Sequence, residues 1–135
     1  MIRYAYLWRS EFEQGREDAG KDRPCAIILT TVNEAEETIV TVLPITHSAP
    51  QHPEDAVEIP YAAKRRLGLD DDRSWIVVSE LNRFVWPGSD LRQVPLTSAG
   101  QFDYGLLPPV LYRTVRERFL ACARAQRIKP VLRTE

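Results

Sequence analysis

The chain has 135 residues, of which 44% are hydrophobic and 27% charged, and its formal net charge is −1. These values are typical of a soluble globular protein, and the length fits a single domain, residues 1–135, with a sizeable core. No apolar run is long enough to cross a bilayer, and the N-terminus lacks the apolar segment of a signal peptide, so we expect a cytoplasmic protein.

Charge is distributed unevenly along the chain. From Pro108 to the end there are seven Arg or Lys and two Glu, a balance of +5, so residues 1–107 carry −6. Such an asymmetry indicates a surface that faces an anion, although solvated helix faces are also often basic. Net charge alone therefore does not indicate a nucleic-acid partner.

The first predicted strand is YAYLWR, Tyr4 to Arg9, in which Tyr4, Tyr6 and Trp8 alternate with other residues and form one aromatic face. A polar stretch follows, from Ser10 to Asp22. It predicts a long loop, and loops of that length inside a compact domain are usually functional.

Runs of aliphatic and β-branched residues predict the strands of the middle of the chain. They are CAIILTTV, TIVTVLPIT, VEIP, SWIVVSEL and a short strand within NRFVWPGSDLRQVP. Among them, IPYAAKRRLGL predicts a small helix, with Pro60 in its first turn and Gly68 in the left-handed position after its end.

The last part of the chain, PPVLYRTVRERFLACARAQR, predicts a long helix. Pro109 suits its first turn, and the residues after Ile128 look extended or frayed. The expected apolar stripe consists of Leu111, Val115, Phe119 and Ala123, with Tyr112 and Cys122 beside them. The remaining surface is basic and carries Arg113, Arg116, Arg118 and Arg124. Many short strands and one long outer helix predict a mainly β fold with α, in which the strands form a small barrel.

Few residues carry recognisable chemistry. There is no glycine-rich phosphate loop, no His-Glu-x-x-His and no Gly-x-Ser-x-Gly. Cys25 and Cys122 lack Cys-x-x-Cys partners and have apolar neighbours, so we expect two buried residues without a zinc ion or a disulfide. A metal site formed by His47 and His52 with Glu54 or Asp55 is possible on spacing, although such mixtures are common in loops.

One pairing of strands is more informative. Arg23 opens one predicted strand, and Thr46 and His47 end the next. If these strands are antiparallel neighbours, the three side chains meet at one rim, where a forked cation, a hydroxyl and an imidazole could bind a phosphodiester and move a proton. The alternatives are ordinary: Arg23 and Pro24 merely start a strand, Thr46 is a β-former, and His47 is a solvated loop residue.

The order KDRPCAIILTTV, then TIVTVLPITHS, then a long helix resembles the MazF/PemK family of toxin ribonucleases. Members of that family show Arg-Pro opening an aliphatic strand, a second strand ending in a Pro-x-Thr or similar element, and a final helix. The similarity in order covers nearly the whole chain. Three features depart from the family pattern: the absence of Gly-Asp or Gly-Glu near Trp8, the position of His47 directly after Thr46, and the insert PYAAKRRLGLDDDR.

The resemblance implies an SH3-like barrel of the MazF/CcdB type, a homodimer, and an antitoxin protein as inhibitor. It also implies cleavage of single-stranded RNA without a metal or cofactor, with Arg23 and Thr46 matching the catalytic arginine and threonine. The loop from Ser10 to Asp22 matches the family's loop over the RNA groove. In this chemistry the RNA 2′-hydroxyl attacks the adjacent phosphorus and leaves a cyclic phosphate, and Arg23 stabilises the phosphoryl charge. His47 is not part of the resemblance and is a candidate for proton transfer on its chemistry alone.

The predicted RNA-binding residues are Arg9, Lys21, Arg83 and Trp86. Trp86 either stacks a splayed base or packs in the interior. Two alternatives to an enzyme stay open: a CcdB-type toxin that binds DNA gyrase through the C-terminal helix, and a degenerate relative that retains only dimerisation and partner binding.

Overall fold

A computed structural model describes residues 1–4, 6, 8, 23–86, 91–92 and 106–133. The predicted loop from Ser10 to Asp22, with Arg9 and Lys21, lies outside the described residues. Within them, eight strands belong to one sheet: β1 (Ile2–Tyr4), β2 (Arg23–Val32), β3 (Thr38–Thr46), β4 (Ala56–Glu58), β5 (Trp75–Val77), β6 (Glu80–Val85), β7 (Leu91–Arg92) and β8 (Lys129–Leu132). The helical elements are a 3-10 turn at Pro53–Asp55, α1 (Tyr61–Leu67) and α2 (Pro109–Arg124).

β3 is the central strand of the sheet. It pairs antiparallel with β2 along one edge, while its other edge pairs first with β6 and then, at its end, with β5. The path of hydrogen-bonded neighbours runs β4-β5-β3-β2-β1-β7; off this path, β6 pairs with β3, and β8 pairs with β6. The sheet curls into a half barrel, so the prediction of a mainly β fold with a C-terminal helix is confirmed.

Both faces of the sheet are apolar, because consecutive residues of β2 and β3 are apolar and successive side chains point to opposite faces. Ala26 and Leu43 face the cluster that also contains buried residues of α1 and α2. Cys25 and Val42 belong to the opposite cluster, where the rings of Tyr4 and Phe84 stack at 4.5 Å. Both cysteines are buried free thiols, as predicted, and burial raises the pKa of each.

The first strand lies earlier in the chain than predicted. Among the described residues there, Ile2–Tyr4 form the strand and Tyr6 and Trp8 do not belong to it, but the expected alternation is visible in the burial of Tyr4 and Tyr6 and the partial burial of Trp8. The predicted strand SWIVVSEL is divided into β5 and β6. The division occurs at Val78 and Ser79, which belong to neither strand, although the Val78 amide still donates to the carbonyl of Asp55, the residue before β4.

Both predicted helices are present. α1 ends as expected at Gly68, which has φ 70°, although Pro60 precedes the helix instead of lying in its first turn. In α2, Pro109 occupies the first turn, and Leu111, Val115 and Cys122 are buried. Including Ala123 in the apolar stripe was wrong: four-residue steps drift by about 40° each, so Cys122 lies nearer the centre of the stripe and Ala123 is exposed. No helix in the described ranges is both long and apolar enough to cross a membrane.

Of the two expectations for the residues after Ile128, extended or frayed, the extended one is confirmed for Lys129–Leu132, which form β8. β8 pairs in parallel with β6, with Leu81 opposite Pro130 and Asn82 opposite Val131. Val131 is 1% exposed and Leu132 is 59% exposed. The strand thus contributes to the core through one side chain.

We therefore expect Val131→Ala to lower the free energy of unfolding by about 2 kcal/mol, because the substitution removes buried methyl groups and leaves a cavity. Leu132→Ala is the matched control, and its effect should stay within about 0.5 kcal/mol because the leucine is exposed. Urea denaturation followed by circular dichroism measures both values. Equal, small effects of the two substitutions would mean that β8 does not contribute to the folded core.

Candidate functional site

The antiparallel pairing of β2 and β3 brings the predicted site residues together. Cys25 lies opposite Pro44, so the first residue of β2 lies beside the end of β3. Nη1 of Arg23 donates a hydrogen bond to the backbone carbonyl of Ile45, at 3.2 Å. The sequence-based expectation that Arg23, Thr46 and His47 share one rim agrees with this geometry.

These three residues line one cleft of about 1010 Å³. Its walls come from the end of β3 and the loop that follows, the 3-10 turn, the segment after α1 and the start of β6. The polar side chains that line the cleft are Arg23, Thr46, His47, Ser48, Gln51, His52, Asp55, Asp70, Ser74, Ser79 and Glu80.

Arg23 is half-buried and stacks on an aromatic ring. The centre of its guanidinium lies 4.7 Å from the ring centroid of Trp8, within the range of a cation–π contact. Trp8 in turn meets Tyr6 edge to face at 5.3 Å. Trp8 and the Ile45 carbonyl therefore restrict the orientation of a guanidinium whose planar fork matches a phosphate.

Thr46 is the last residue of β3, and its side chain is partly tied to the following turn. Its Oγ1 accepts a hydrogen bond from the backbone amide of Ser48, at 3.1 Å. A hydroxyl can donate one hydrogen bond while it accepts others. The contact with Ser48 therefore orients the Thr46 side chain and leaves its hydroxyl proton available for a hydrogen bond to a ligand.

His47 belongs to a chain of polar contacts that reaches into the protein. Its Nε2 lies 2.8 Å from Oδ2 of Asp70, and Nζ of Lys64 lies 2.9 Å from Oδ1 of the same carboxylate. The amide of Asp72 also donates to Oδ1, at 3.1 Å, and Lys64 donates to Oγ of Ser74, at 3.0 Å. Lys64, on the inner face of α1, is 2% exposed, whereas His47 is exposed at the cleft.

The charge of Asp70 follows from these neighbours. Partial burial acts to raise its pKa, but the hydrogen bonds that Lys64 and His47 donate and the positive charge of Lys64 outweigh burial, so the pKa of Asp70 is lowered. Asp70 is therefore a carboxylate at neutral pH. It bridges a buried ammonium and an exposed imidazole.

The other two carboxylates of the cleft are also engaged. Asp55 pairs with Arg127, which follows α2 and lies 3.8 Å from Glu54 as well. Glu80 accepts a hydrogen bond from the phenol of Tyr6, at 3.1 Å. Burial and the Glu80 carboxylate raise the pKa of Tyr6 well above its ordinary value, so the phenol remains a donor. The guanidinium of Arg127 offsets the charge of Asp55, whereas the neutral phenol of Tyr6 stabilises Glu80 without cancelling its charge.

In the described part of the chain, the side chains that could hold a metal ion differ from those expected. The ligand atoms of His47, Asp70 and Asp72 lie within 4.8 Å of one another, while the combination that is possible on spacing, His47 and His52 with Glu54 or Asp55, forms no such group. Asp70 already binds the ammonium of Lys64. A cation placed there would meet that positive charge, so the arrangement favours a histidine–carboxylate pair over a metal centre.

Two predicted RNA-binding residues lie away from the cleft. Trp86, next to the end of β6, packs against Phe84 with ring centroids 6.3 Å apart, which agrees with the packing alternative. Nε of Arg83 donates to Oγ1 of Thr41 in the middle of the sheet, at 3.4 Å. Arg9 and Lys21 lie outside the described residues.

Three residues of this site were not identified from the sequence: Trp8, Lys64 and Asp70. Trp8 was assigned only to an aromatic strand face, and nothing in its local pattern indicates Arg23 as its partner. Lys64, in PYAAKRRL, and Asp70, in DDDR, lie among other charged residues, and such a pattern is typical of a solvent-exposed surface. The burial of Lys64 depends on the packing of α1.

Comparisons of the chain with protein-family models, with curated proteins and with solved structures found no match.

Proposed function

We propose that this protein is an endoribonuclease that cuts single-stranded RNA without a metal ion, and that it acts as the toxin of a toxin–antitoxin pair. The observation that carries the proposal is the meeting of Arg23, Thr46 and His47 in one cleft. A forked cation, a hydroxyl and a proton-transfer group are the parts that cleavage by the RNA's own 2′-hydroxyl requires. The resemblance to MazF/PemK toxins, and to their SH3-like barrel, supports the same proposal.

In this mechanism the 2′-hydroxyl oxygen attacks the adjacent phosphorus and gives its proton to His47. The bond from phosphorus to the 5′ oxygen breaks, that oxygen takes a proton from water in the open cleft, and the hydroxide left behind is neutralised by the proton that His47 then releases. The products are a 2′,3′-cyclic phosphate and a 5′-hydroxyl. Arg23 stabilises the negative charge that grows on the phosphoryl oxygens, and Thr46 orients one of these oxygens.

In this proposal Trp8, and not Trp86, is the aromatic residue that contacts the RNA. Its ring lines the cleft and is half-buried beside Arg23. One aromatic face supports the guanidinium. In this proposal the exposed part of the indole contacts a base or ribose next to the scissile phosphate, as aromatic side chains do in other single-strand binding sites.

Cleavage should not depend on divalent ions. We expect a purified preparation to cut a long single-stranded RNA at the same rate with and without excess EDTA, since Arg23 and His47 supply the charge and the proton transfer. Gel electrophoresis of the products measures the rate. Loss of cleavage in EDTA with recovery on adding one divalent ion would contradict the mechanism and would require His47, Asp70 and Asp72 to be reconsidered as ligands.

The proposed assembly is a homodimer whose cleft is covered by a cognate antitoxin protein. Light scattering should then give a mass of twice the 15.5 kDa of one chain. Exposed apolar side chains on and before α2, Leu106, Val110 and Tyr112, are consistent with a protein contact. A monomer at micromolar concentration that still cuts RNA would remove the dimer from the proposal.

A protein-binding toxin of the CcdB type is the competing function. It predicts an intact RNA and an inhibited DNA gyrase in a supercoiling assay. The same preparation can be used in both assays, so the two functions are separated by one pair of measurements.

A further inference from the structure

We propose that Lys64 and Asp70 are positioning residues that fix the proton of His47 on Nε2, so that Nδ1 becomes the basic nitrogen of the cleft. This inference rests on the proposed function for the use of that nitrogen, but the placement of the proton can be tested separately. Asp70 and Lys64 act through His47 and do not themselves touch the RNA.

The first step concerns the contact between His47 and Asp70. Nε2 and Oδ2 lie 2.8 Å apart, a hydrogen-bond distance. An ionised carboxylate can only accept hydrogen bonds, so Nε2 must be the donor. In a neutral imidazole one nitrogen carries the proton and the other carries a lone pair. Nδ1 of His47 is therefore the nitrogen able to accept a proton.

The second step concerns what holds Asp70. Its Oδ1 accepts from the Lys64 ammonium at 2.9 Å and from the Asp72 amide at 3.1 Å. Both of these groups can only donate. They keep Oδ1 turned away from His47 and Oδ2 directed at Nε2, and the buried ammonium keeps the carboxylate ionised.

The third step concerns the reaction. When Nδ1 of His47 takes the proton of the 2′-hydroxyl, the imidazole becomes positively charged. The carboxylate of Asp70 lies against that charge and stabilises it, as the aspartate of a serine-protease triad stabilises its imidazolium. No proton needs to leave Lys64 or reach Asp70. The chain of contacts therefore sets the tautomer and supports the charge.

Asp70→Asn tests the inference because the donors around Oδ1 determine how the amide will lie. Lys64 and the Asp72 amide both require an acceptor, so the carbonyl oxygen of the new asparagine should face them. Its NH₂ group would then face His47 and demand an acceptor at Nε2. The imidazole proton should consequently move to Nδ1, and the basic nitrogen of the cleft should disappear.

The structural readout is a long-range ¹H–¹⁵N spectrum of the imidazoles, recorded at mildly alkaline pH, where histidine is normally neutral. The chain has two histidines, so His52 provides an internal reference in every spectrum. We expect the Nε2–H form for His47 in the wild type and in Asp70→Glu, and the Nδ1–H form in Asp70→Asn. Asp71→Asn is the matched control. Asp71 is exposed and directly follows Asp70, so this substitution removes the same charge from the neighbouring position and should leave the spectrum unchanged.

The kinetic readout is RNA cleavage by the same four proteins and by a fifth, Lys64→Met. Asp70→Asn should lower kcat by about a hundredfold or more with KM within about twofold, because a general base acts in the transition state and not in binding. Asp70→Glu should recover part of the loss, and Asp71→Asn should show none. Lys64→Met, which keeps the length of the buried side chain but removes its charge, should also reduce kcat.

Each combination of results has a distinct meaning. A wild-type His47 in the Nδ1–H form, or an unchanged spectrum in Asp70→Asn, would overturn the inference. A changed spectrum with unimpaired cleavage would also overturn it, because Nδ1 could not be the base. If the wild type cuts no RNA but the tautomer changes as described, the positioning by Asp70 is supported and the ribonuclease function fails.

Discussion

Replacing Arg23 by lysine is expected to slow RNA cleavage by about a hundredfold or more, the scale seen when one preorganised donor is removed from an enzyme. Lysine keeps the positive charge but loses the planar fork that binds two phosphate oxygens at once. It also loses the contact that spreads the guanidinium over Trp8 at 4.7 Å. A compact ammonium on a flexible stem would not be held in the same place.

The measurement is the single-turnover rate of the variant with saturating protein, which separates chemistry from weak binding. Arg116→Ala is the control, because Arg116 is an exposed residue of α2 and does not line the cleft. It should change mainly the salt dependence of RNA binding. A folded Arg23→Lys protein with full activity, combined with a loss of activity in Arg116→Ala, would place the site on the helix and contradict the assignment of the cleft.

The second large effect is expected from His47→Gln. Loss of a positioned general base typically slows a reaction by about 10²–10⁴-fold. Glutamine is of similar length and keeps hydrogen-bonding groups near Asp70, so the fold and the cleft should be retained, but it cannot accept the proton of the 2′-hydroxyl.

His52→Gln is the matched substitution, since His52 lines the same cleft but has no carboxylate partner among the described residues. We expect an effect of less than tenfold, because a histidine that is not oriented by an acid is a poor candidate for the base. Equal losses in the two variants would mean that both imidazoles take part. A larger loss in His52→Gln than in His47→Gln would mean that His52, and not His47, is the base.

The parts of this fold that the sequence predicts are those governed by local patterns. The helix α2 follows from a stripe of apolar residues and from Pro109, and α1 follows from Gly68 at its end. The pairing of β2 with β3 follows from two consecutive β-rich runs separated by a short turn, and it places Arg23 beside Ile45. These features depend on residues close together in the chain.

The parts that could not be predicted depend on contacts between distant segments. β8 finds its place by parallel pairing with β6, which no local pattern indicates. The contact between His47 and Asp70 depends on how α1 and its following turn fold back against the end of β3. Lys64 is buried because this packing supplies it with Asp70 and Ser74 as partners, which compensates the loss of water.

The central claim is that the cleft containing Arg23, Thr46 and His47 directs the RNA's own 2′-hydroxyl at the adjacent phosphate. Mass spectrometry of the fragments produced from a defined single-stranded RNA in excess EDTA tests it most directly. We predict fragments that end in a 2′,3′-cyclic phosphate and begin with a 5′-hydroxyl, formed by the wild type and nearly absent with Arg23→Lys. Intact RNA, or fragments with 5′-phosphate and 3′-hydroxyl ends, would contradict the claim.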